Sequence, residues 1–258
     1  MSEEIPNFLA TIFIPFIKPT ISSDEAFDMV SEKLENVTLP DEYQELWNNI
    51  NLPIQLKKAM QRAPLWGPNI KQERGSLEYL MQREAILEKL SKRAYYLTQI
   101  AQKFDAKNIV EVGTAEGWQF YSFAEYCKDN DGHVWSCDIE DKHSKTHAKK
   151  YSDSATFIHG DSAKLADHIE SLGIKIDMFY IDGSHEEGAV LQDVNNLKKV
   201  QTDDKTPIWV FDDYDERFGC YNDIHKISKA AEQYMVYSPG KTASNNPTHQ
   251  MLLLGRFK

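Results

Sequence analysis

The stretch KNIVEVGTAEGW, residues 107–118, joins a run rich in β-branched residues to a turn that contains two glycines. The run is typical of a buried strand, and Gly113 and Gly117 allow the backbone to turn sharply and a ligand to approach it closely. The helix that we expect from about Gly117 has free N–H groups in its first turn. The stretch predicts a strand, a turn able to bind a ligand and a helix, although a purely structural turn has the same pattern.

The same alternation of a β-rich run and a helix-length segment continues along the chain. The later runs are GHVWSCDI (132–139), ATFIHGDS (155–162), IDMFYIDG (176–183) and PIWVFDDY (207–214). Five strands joined by four helices predict a mostly parallel sheet covered on both faces. Two further runs, QYMVYSP (233–239) and HQMLLLGRF (249–257), are separated by a loop without a helix, which predicts an antiparallel hairpin. We therefore expect an α/β fold with seven strands.

The region before residue 105 has a different pattern, with turn signals between pieces of helical periodicity. We predict a helical arm or cap at residues 1–75 and the main domain at 76–258. The apolar segment 8–17, FLATIFIPFI, is about half the length of a membrane span, and acidic residues precede it where a signal peptide has positive charge. We expect it to pack on the core or on a second subunit, in a possible homo-oligomer, rather than to anchor the chain on a membrane surface.

Composition limits the partners and the compartment. The formal net charge of −11 in 258 residues repels a phosphate backbone, and no dense basic cluster offsets it, so we expect no nucleic-acid partner. Cys127, Cys137 and Cys220 are too few and too scattered for a disulfide framework, and no Cys-x-x-Cys pair suggests zinc. A reducing cytoplasm fits this cysteine content best.

Polar residues follow the first three predicted strands. The dinucleotide fingerprint G-x-G-x-x-G is absent after the first strand, because Thr114, Ala115 and Glu116 fill the space between its two glycines. Asp138 ends the second strand at a position where a carboxylate can accept hydrogen bonds from ribose hydroxyls. Asp161 and Ser162 end the third strand and could hold the exocyclic amine of a base. Each of these residues could instead cap a helix, but together they favour an adenosyl pocket.

Five stretches together resemble the successive motifs of class I S-adenosylmethionine-dependent methyltransferases: IVEVGTAEGW, VWSCDIED, FIHGDSA, IDMFYIDGSHEEGAVLQDV and WVFDDYDERFG. More narrowly, they resemble the metal-dependent O-methyltransferases related to catechol O-methyltransferase and to the macrolide and aminocoumarin sugar enzymes. The resemblance spans about residues 75–257 and implies a Rossmann-like methyltransferase fold. It also implies that S-adenosylmethionine is bound by Glu111, Gly113, Thr114, Gly117, Asp138, Asp161, Ser162 and Asp182.

Three aspartates follow the fourth and fifth strands, which we expect to be neighbours in the sheet. Asp182, Asp212 and Asp213 then converge, and their repulsion is costly unless they are protonated or neutralised. Mg²⁺ or another divalent cation with oxygen ligands removes that repulsion. In the resembling enzymes these positions are metal ligands. The alternative is that Asp212 and Asp213 only form a turn and a helix cap.

His185 lies just after the glycine turn that follows Asp182. A neutral imidazole can take a proton from a hydroxyl group, so we expect His185 to be the catalytic base, the alternative being a helix-capping or supporting histidine. Some relatives place an aspartate base two residues after the first ligand, where this chain has Ser184. The predicted activity is Mg²⁺-dependent O-methylation of a small acceptor, a sugar or phenolic natural product. The alternatives are a nicotinamide-dependent oxidoreductase and a non-catalytic S-adenosylmethionine-binding scaffold.

Overall fold

The computed structural model describes residues 93–94, 96–143, 145–231, 234–241 and 247–258, together with two short strands, β1 (Phe13–Ile14) and β2 (Leu34–Glu35). The predicted helical arm at 1–75 and the apolar segment 8–17 otherwise lie outside the described residues. The two-domain division therefore stays a prediction.

The described part of the main domain alternates strands and helices as the sequence predicts. Its parallel strands are β3 (Asn108–Val112), β4 (His133–Asp138), β5 (Ala155–His159), β6 (Met178–Ile181) and β7 (Ile208–Phe211). The helices are α1 (residues 93–103, of which 95 is not described), α2 (Trp118–Asp129), α3 (Lys145–Lys150), α4 (Ser162–Ser171), α5 (Ala189–Leu197, followed by a 3-10 turn at Lys198–Val200) and α6 (Tyr221–Ala230). The last strands are β8 (Met235–Lys241), β9 (Pro247–Leu254) and β10 (Arg256–Phe257).

One large sheet has the strand order β1-β8-β9-β7-β6-β3-β4-β5. The five strands from β3 to β7 are parallel, whereas β9 pairs antiparallel with β7 and β8 antiparallel with β9. The predicted α/β class, the seven-stranded sheet and the antiparallel hairpin are confirmed. The two-residue strand β1 adds an eighth strand at the outer edge of β8, and β10 pairs separately with β2.

The central strands β6 and β7 are buried along their whole lengths. Because helices cover both faces of a parallel sheet, its central strands carry apolar residues without alternation. Phe179 of β6 stacks on Trp209 of β7 with 3.9 Å between ring centroids, and the edge of Phe257 packs against Trp209 at 4.9 Å. This core fixes the ends of β6 and β7 side by side. No helix in the described part of the chain is both long and apolar enough to cross a membrane.

The chain reverses direction across the sheet at β3, which lies between β4 and β6. In open parallel sheets of this kind, ligands bind beyond the carboxyl ends of the strands at such a reversal. The polar residues selected from the sequence lie at the carboxyl ends of strands or just after them, so the topology brings them to this one edge.

Candidate active site

A cleft of about 850 Å³ opens over the carboxyl ends of β3, β4, β5 and β6. Among the residues predicted from the sequence, those that line it are Glu111, Gly113, Thr114, Asp138, Asp161, Ser162, Asp182 and His185. Gly117, Asp212 and Asp213 lie beside the cleft without lining it. Ser184, the alternative base position, also lines the cleft.

The turn after β3 is built on two glycines in the left-handed region. Gly113 has φ +93°, and a Cβ placed on it would lie 1.9 Å from the backbone oxygen of Asp182, at the end of the neighbouring strand β6. Gly117 has φ +89° and caps α2, which begins at Trp118 as predicted. Only glycine permits the close approach at position 113, so this turn is tightly held against the end of β6.

A chain of buried hydrogen bonds lies under the turn. The Thr114 and Ser136 hydroxyl oxygens are 2.6 Å apart, and the Ser136 hydroxyl donates to the Glu111 carboxyl. Burial is the largest influence on Glu111 and raises its pKa to about 8. Glu111 is therefore mainly protonated at neutral pH and can donate a hydrogen bond as well as accept one.

The acidic residues at the ends of β4 and β5 accept hydrogen bonds from backbone N–H groups. The Asp138 carboxylate accepts from Ala115 N at 2.8 Å and from Glu140 N at 2.9 Å, which ties the end of β4 to the glycine turn. Asp161 caps α4 by accepting from Lys164 N at 3.0 Å. Asp161 thus has the helix-capping role that we weighed as an alternative, whereas Asp138 bonds to two turns and caps no helix; both line the cleft.

Ser162 is hydrogen-bonded to two polar side chains of α5. Its hydroxyl donates to Asp193 Oδ1 at 2.6 Å and accepts from Asn196 Nδ2 at 2.9 Å. Asp193 lines the cleft, and burial is the largest influence that raises its pKa, to about 6. This end of the cleft therefore contains a carboxylate that costs free energy to ionise in the folded state.

Gln119, in the first turn of α2, is a buried polar residue on the wall of the cleft. It is 2% exposed, and neither atom of its amide has a hydrogen-bond partner among the described residues. Buried amides are rarely left unsatisfied, and each unmade bond costs about 1 to 3 kcal/mol. The position is suited to a polar ligand group that completes these bonds.

The ends of β6 and β7 hold the predicted acidic cluster, and an arginine bridges two of its members. Arg93 Nη1 on α1 donates to Asp182 Oδ2 at 3.0 Å and to Asp212 Oδ2 at 2.8 Å. The Tyr180 hydroxyl lies 3.0 and 2.9 Å from the same two oxygens, and Gln250 Nε2 donates to Asp212 Oδ1 at 3.0 Å. Both oxygens of Asp212 are therefore engaged by side chains, and the residue is 4% exposed.

Asp213 is oriented differently from its neighbour Asp212. Its backbone has φ +52°, which is uncommon for a residue other than glycine, and its Oδ2 lies 2.8 Å from His185 Nε2. The hydrogen bond to Asp213 is the largest influence on His185 and raises its pKa. Asp182, His185 and Asp213 each offer a ligand atom, all within 4.8 Å of one another. Asp212 is not part of that group.

A family model for a methyltransferase domain matches residues 110–214, from within β3 to just past Asp213. This part of the chain is therefore similar to a methyltransferase domain, in agreement with the resemblance carried by the motifs. The matched range contains both the glycine turn and the acidic cluster. Over this range the methyltransferase assignment made from the motifs is supported, against the nicotinamide-dependent alternative.

Solved structures resemble this chain in fold. A putative O-methyltransferase from Klebsiella pneumoniae is 11% identical, with a TM-score of 0.51 and coverage of 83% of this chain and 96% of that one. The O-methyltransferase TomG from Streptomyces achromogenes, which is involved in tomaymycin synthesis and was solved with S-adenosylmethionine, is 14% identical, with a TM-score of 0.51 and coverage of 78% and 89%. Cofactor-bound Rv0187 from MTB is 14% identical, with a TM-score of 0.50 and coverage of 87% and 100%. No curated protein sequence matches the chain.

Polar residues of the cleft that were not predicted from the sequence include Arg93, Gln119 and Asp193. The position of Gln119, two residues past the glycine turn, could have suggested it, because the first turn of that helix faces the cleft. Arg93 and Asp193 sit in helical segments whose pattern is that of ordinary charged surface residues. No local signal marks either one.

Proposed function

We propose that this methyltransferase transfers the methyl group of S-adenosylmethionine to a hydroxyl of a small acceptor, a sugar or phenolic natural product. The observation that carries the proposal is the joining, in one cleft, of the glycine turn to a group of carboxylates and an imidazole suited to hydroxyl activation. The closeness of Gly113 to Asp182 keeps donor and acceptor groups next to each other. Methyl transfer needs such in-line positioning more than it needs any covalent step by the protein.

For the cofactor, we propose that Asp138 accepts hydrogen bonds from the ribose hydroxyls and that Asp161 and Ser162 face the adenine. Each Asp138 oxygen already accepts one backbone bond and retains a further lone pair for a ligand. The protonated Glu111 and the Gln119 amide would bind the amino acid portion of the cofactor, whose charged ends require hydrogen bonds when they leave water. Gly113, Thr114, Gly117 and Asp182 would shape the backbone around it.

For the acceptor, we propose a divalent cation, Mg²⁺ or a related ion, at the acidic cluster. Asp182 and Asp213 fit such an ion, because their carboxylates converge and oxygen ligands suit it. Asp212, the third ligand expected from the sequence, fits only in part, since both of its oxygens accept bonds from other side chains. When bound, the cation lowers the pKa of a hydroxyl group that it contacts.

His185 is our proposed general base. Its Nε2 faces Asp213, so the network assigns the proton to Nε2 and leaves Nδ1 as the basic nitrogen. Asp213 thereby fixes the ring, and Nδ1 can accept the proton of the acceptor hydroxyl as the methyl group is transferred. The imidazole side chain is 52% exposed, which leaves room for an acceptor beside it.

The remaining expectations about partners stay predictions. We propose that the enzyme works in the reducing cytoplasm, since its three cysteines are buried thiols without disulfides. Assembly through the region 1–75 and the absence of a nucleic-acid partner are likewise proposals, supported by the apolar segment 8–17 and the net charge of −11.

Two measurements test the function. Calorimetry should show binding of S-adenosylhomocysteine and none of NAD, and the opposite result would contradict the cofactor assignment. Labelled S-adenosylmethionine should then be supplied with a panel of sugar nucleotides, catechols and glycosides, in Mg²⁺ or in EDTA. We expect transfer to a hydroxylated acceptor in Mg²⁺ alone. Equal rates in Mg²⁺ and in EDTA would show that the reaction does not depend on a metal. Binding of the cofactor without methyl transfer to any acceptor would contradict O-methylation.

A further inference from the structure

The loop that carries His185 runs into α5, and the start of that helix is capped from another helix. Gly188, the residue before α5, has φ +88° and no side chain that could cap it. Asp223, in the first turn of α6, accepts from Gly188 N at 3.0 Å and from Val190 N at 3.1 Å, one bond to each carboxylate oxygen. The first N–H groups of a helix need such acceptors. The start of α5 therefore depends on a residue 35 positions beyond Gly188.

Asp223 is 0% exposed, so its bonds to α5 are shielded from water. A buried carboxylate is costly unless its oxygens accept hydrogen bonds. Both backbone donors belong to the start of α5, at Gly188 and Val190. A displacement of this helix start away from α6 would remove both donors from the carboxylate. Asp223 therefore favours one placement of the two elements against each other.

Further contacts join the His185 loop to the residues just before α6. Cys220 N donates to the His185 backbone oxygen at 2.9 Å. A Cβ on Gly219 would lie 2.7 Å from that same oxygen, so glycine is needed for this close approach. The Phe218 ring packs edge-on against the His185 ring, with 5.0 Å between centroids. Residues 218–223 thus contact both the backbone and the ring of His185.

These contacts join two loops whose side chains meet in the candidate site. His185 follows β6, whereas Asp213 follows β7 on the loop that continues into residues 218–223. His185 Nε2 lies 2.8 Å from Asp213 Oδ2. A hydrogen bond between side chains of two loops keeps its geometry only while the loops keep their separation. The placement of α6 against the His185 loop therefore bears on the orientation of the imidazole.

We propose that Asp223 is a positioning residue, which caps α5 from α6 and thereby holds His185 at the distance from Asp213 that orients the imidazole for proton transfer. This inference rests on the proposed function, in which His185 is the general base. Asp223 itself does not line the cleft. It can still control the rate, because a displacement of about 1 Å in a catalytic group can cost about a hundredfold.

Asp223→Ala removes both bonds to α5 and leaves the cleft lining intact. With the sugar nucleotide, catechol or glycoside that is methylated fastest, we expect kcat to fall by about tenfold or more. The KM for S-adenosylmethionine should stay within about threefold. Amide hydrogen exchange of residues 185–190 should become faster, because Gly188 N and Val190 N lose their acceptors. Asp223→Asn keeps one acceptor oxygen, should give intermediate values, and decides the question if the alanine variant does not fold.

Asp177→Ala is the matched control. Asp177 is 6% exposed and also accepts from two backbone N–H groups, those of Lys107 at 2.8 Å and Asn108 at 3.0 Å. These bonds lie at the amino ends of β3 and β6, away from the cleft. Both alanine variants should lower the unfolding temperature by about 5 °C or more, but only Asp223→Ala should lower kcat. An equal loss of kcat in both would show that Asp223 has only a structural role.

A double-substitution cycle tests whether Asp223 acts through His185. In His185→Asn, which lacks the base, the addition of Asp223→Ala should change kcat by less than about twofold. If Asp223→Ala costs as much in that background as in the wild type, or costs nothing in the wild type, the inference is overturned and the base assignment stands. If His185→Asn is as active as the wild type, His185 is not the base, and the inference fails with that part of the proposed function.

Discussion

The two halves of the candidate active site are held together by different kinds of contact. In the glycine half, the turns after β3, β4 and β5, the aspartates accept bonds from backbone N–H groups: Asp161 from Lys164 N, and Asp138 from Ala115 N and Glu140 N. In the acidic half, Asp182, Asp212 and Asp213, the partners include side chains from distant parts of the sequence: Arg93 is 119 positions from Asp212, and Gln250 is 38 positions from it. The aspartates of the first half are thus fixed by main-chain groups of the turns, and those of the second by side chains from other elements.

The largest effect is expected where the two halves touch. Gly113→Ala would place a Cβ 1.9 Å from the Asp182 backbone oxygen at φ +93°, and neither backbone can move without disturbing the sheet. We expect a loss of about 3 kcal/mol or more of unfolding free energy. Thermal and urea unfolding measure it.

Gly173→Ala is the matched control for that substitution. Gly173 also has positive φ, at +66°, but no atom lies within 4 Å of its added Cβ, so only the strain of about 1 kcal/mol applies. If both alanine variants lose the same stability, the contact between the halves has no energetic importance.

The second prediction separates the halves by function. Asp213→Ala should abolish Mg²⁺-stimulated methyl transfer, by about a hundredfold or more, and leave the affinity for S-adenosylhomocysteine nearly unchanged. Asp138→Ala should instead weaken that affinity by about tenfold or more, because it removes a hydrogen-bond acceptor from the proposed ribose site. Calorimetry and a labelled-methyl assay distinguish the two.

Asp215→Ala serves as the control for this pair, since Asp215 pairs with Arg217 outside the cleft and should tolerate the change in both assays. A loss of cofactor affinity in Asp213→Ala as large as that in Asp138→Ala would mean that the two halves do not act separately.

A smaller effect, of opposite sign in two assays, is expected at Gln119. Gln119→Ala removes an amide that is buried without a partner among the described residues, so the ligand-free protein should unfold at the same or a higher temperature. Affinity for S-adenosylhomocysteine should fall by about tenfold, because the cofactor loses those bonds. The exposed Gln102→Ala should change neither the unfolding temperature nor the affinity. A lower unfolding temperature of ligand-free Gln119→Ala would argue instead that the amide has an ordinary structural role.

The smallest effect concerns Asp193, whose pKa is raised from 3.8 to about 6, chiefly by burial. A raised folded-state pKa favours the folded state below pH 3.8, and that contribution is lost as the pH rises through 6. Asp193→Asn should therefore gain stability relative to the wild type at pH 8, by about 1 to 2 kcal/mol, and the gain should shrink towards pH 4. A stability difference between Asp193→Asn and the wild type that does not depend on pH would contradict this prediction.

Sequence analysis predicted the residues of the glycine half better than the contacts of the acidic half. The strand ends at Asp138, Asp161 and Ser162 were predictable because each lies next in sequence to the strand that positions it. Predicted strand bounds were less accurate: β6 was expected from Ile176, but Ile176 forms only an isolated bridge with Gln201 and the strand begins at Met178.

The acidic half was predictable in its residues and not in their bonds. Adjacent strands bring Asp182, Asp212 and Asp213 together, as expected from the βαβ order. Their neutralisation was assigned wholly to a metal because Arg93 lies in a helix far from either strand, and nothing in the spacing connects it to Asp212. Gln250 was likewise read only as part of an apolar strand.

The contact between Gly113 and the Asp182 carbonyl also bears on how an enzyme of this kind can diversify. If the methyl donor and the hydroxyl-activating group lie where we propose, their spacing depends on this main-chain contact. Under the proposed function, the loops over the cleft can change to admit a new acceptor while the reaction distance is inherited unaltered. Specificity and chemistry would then evolve on separate parts of the chain.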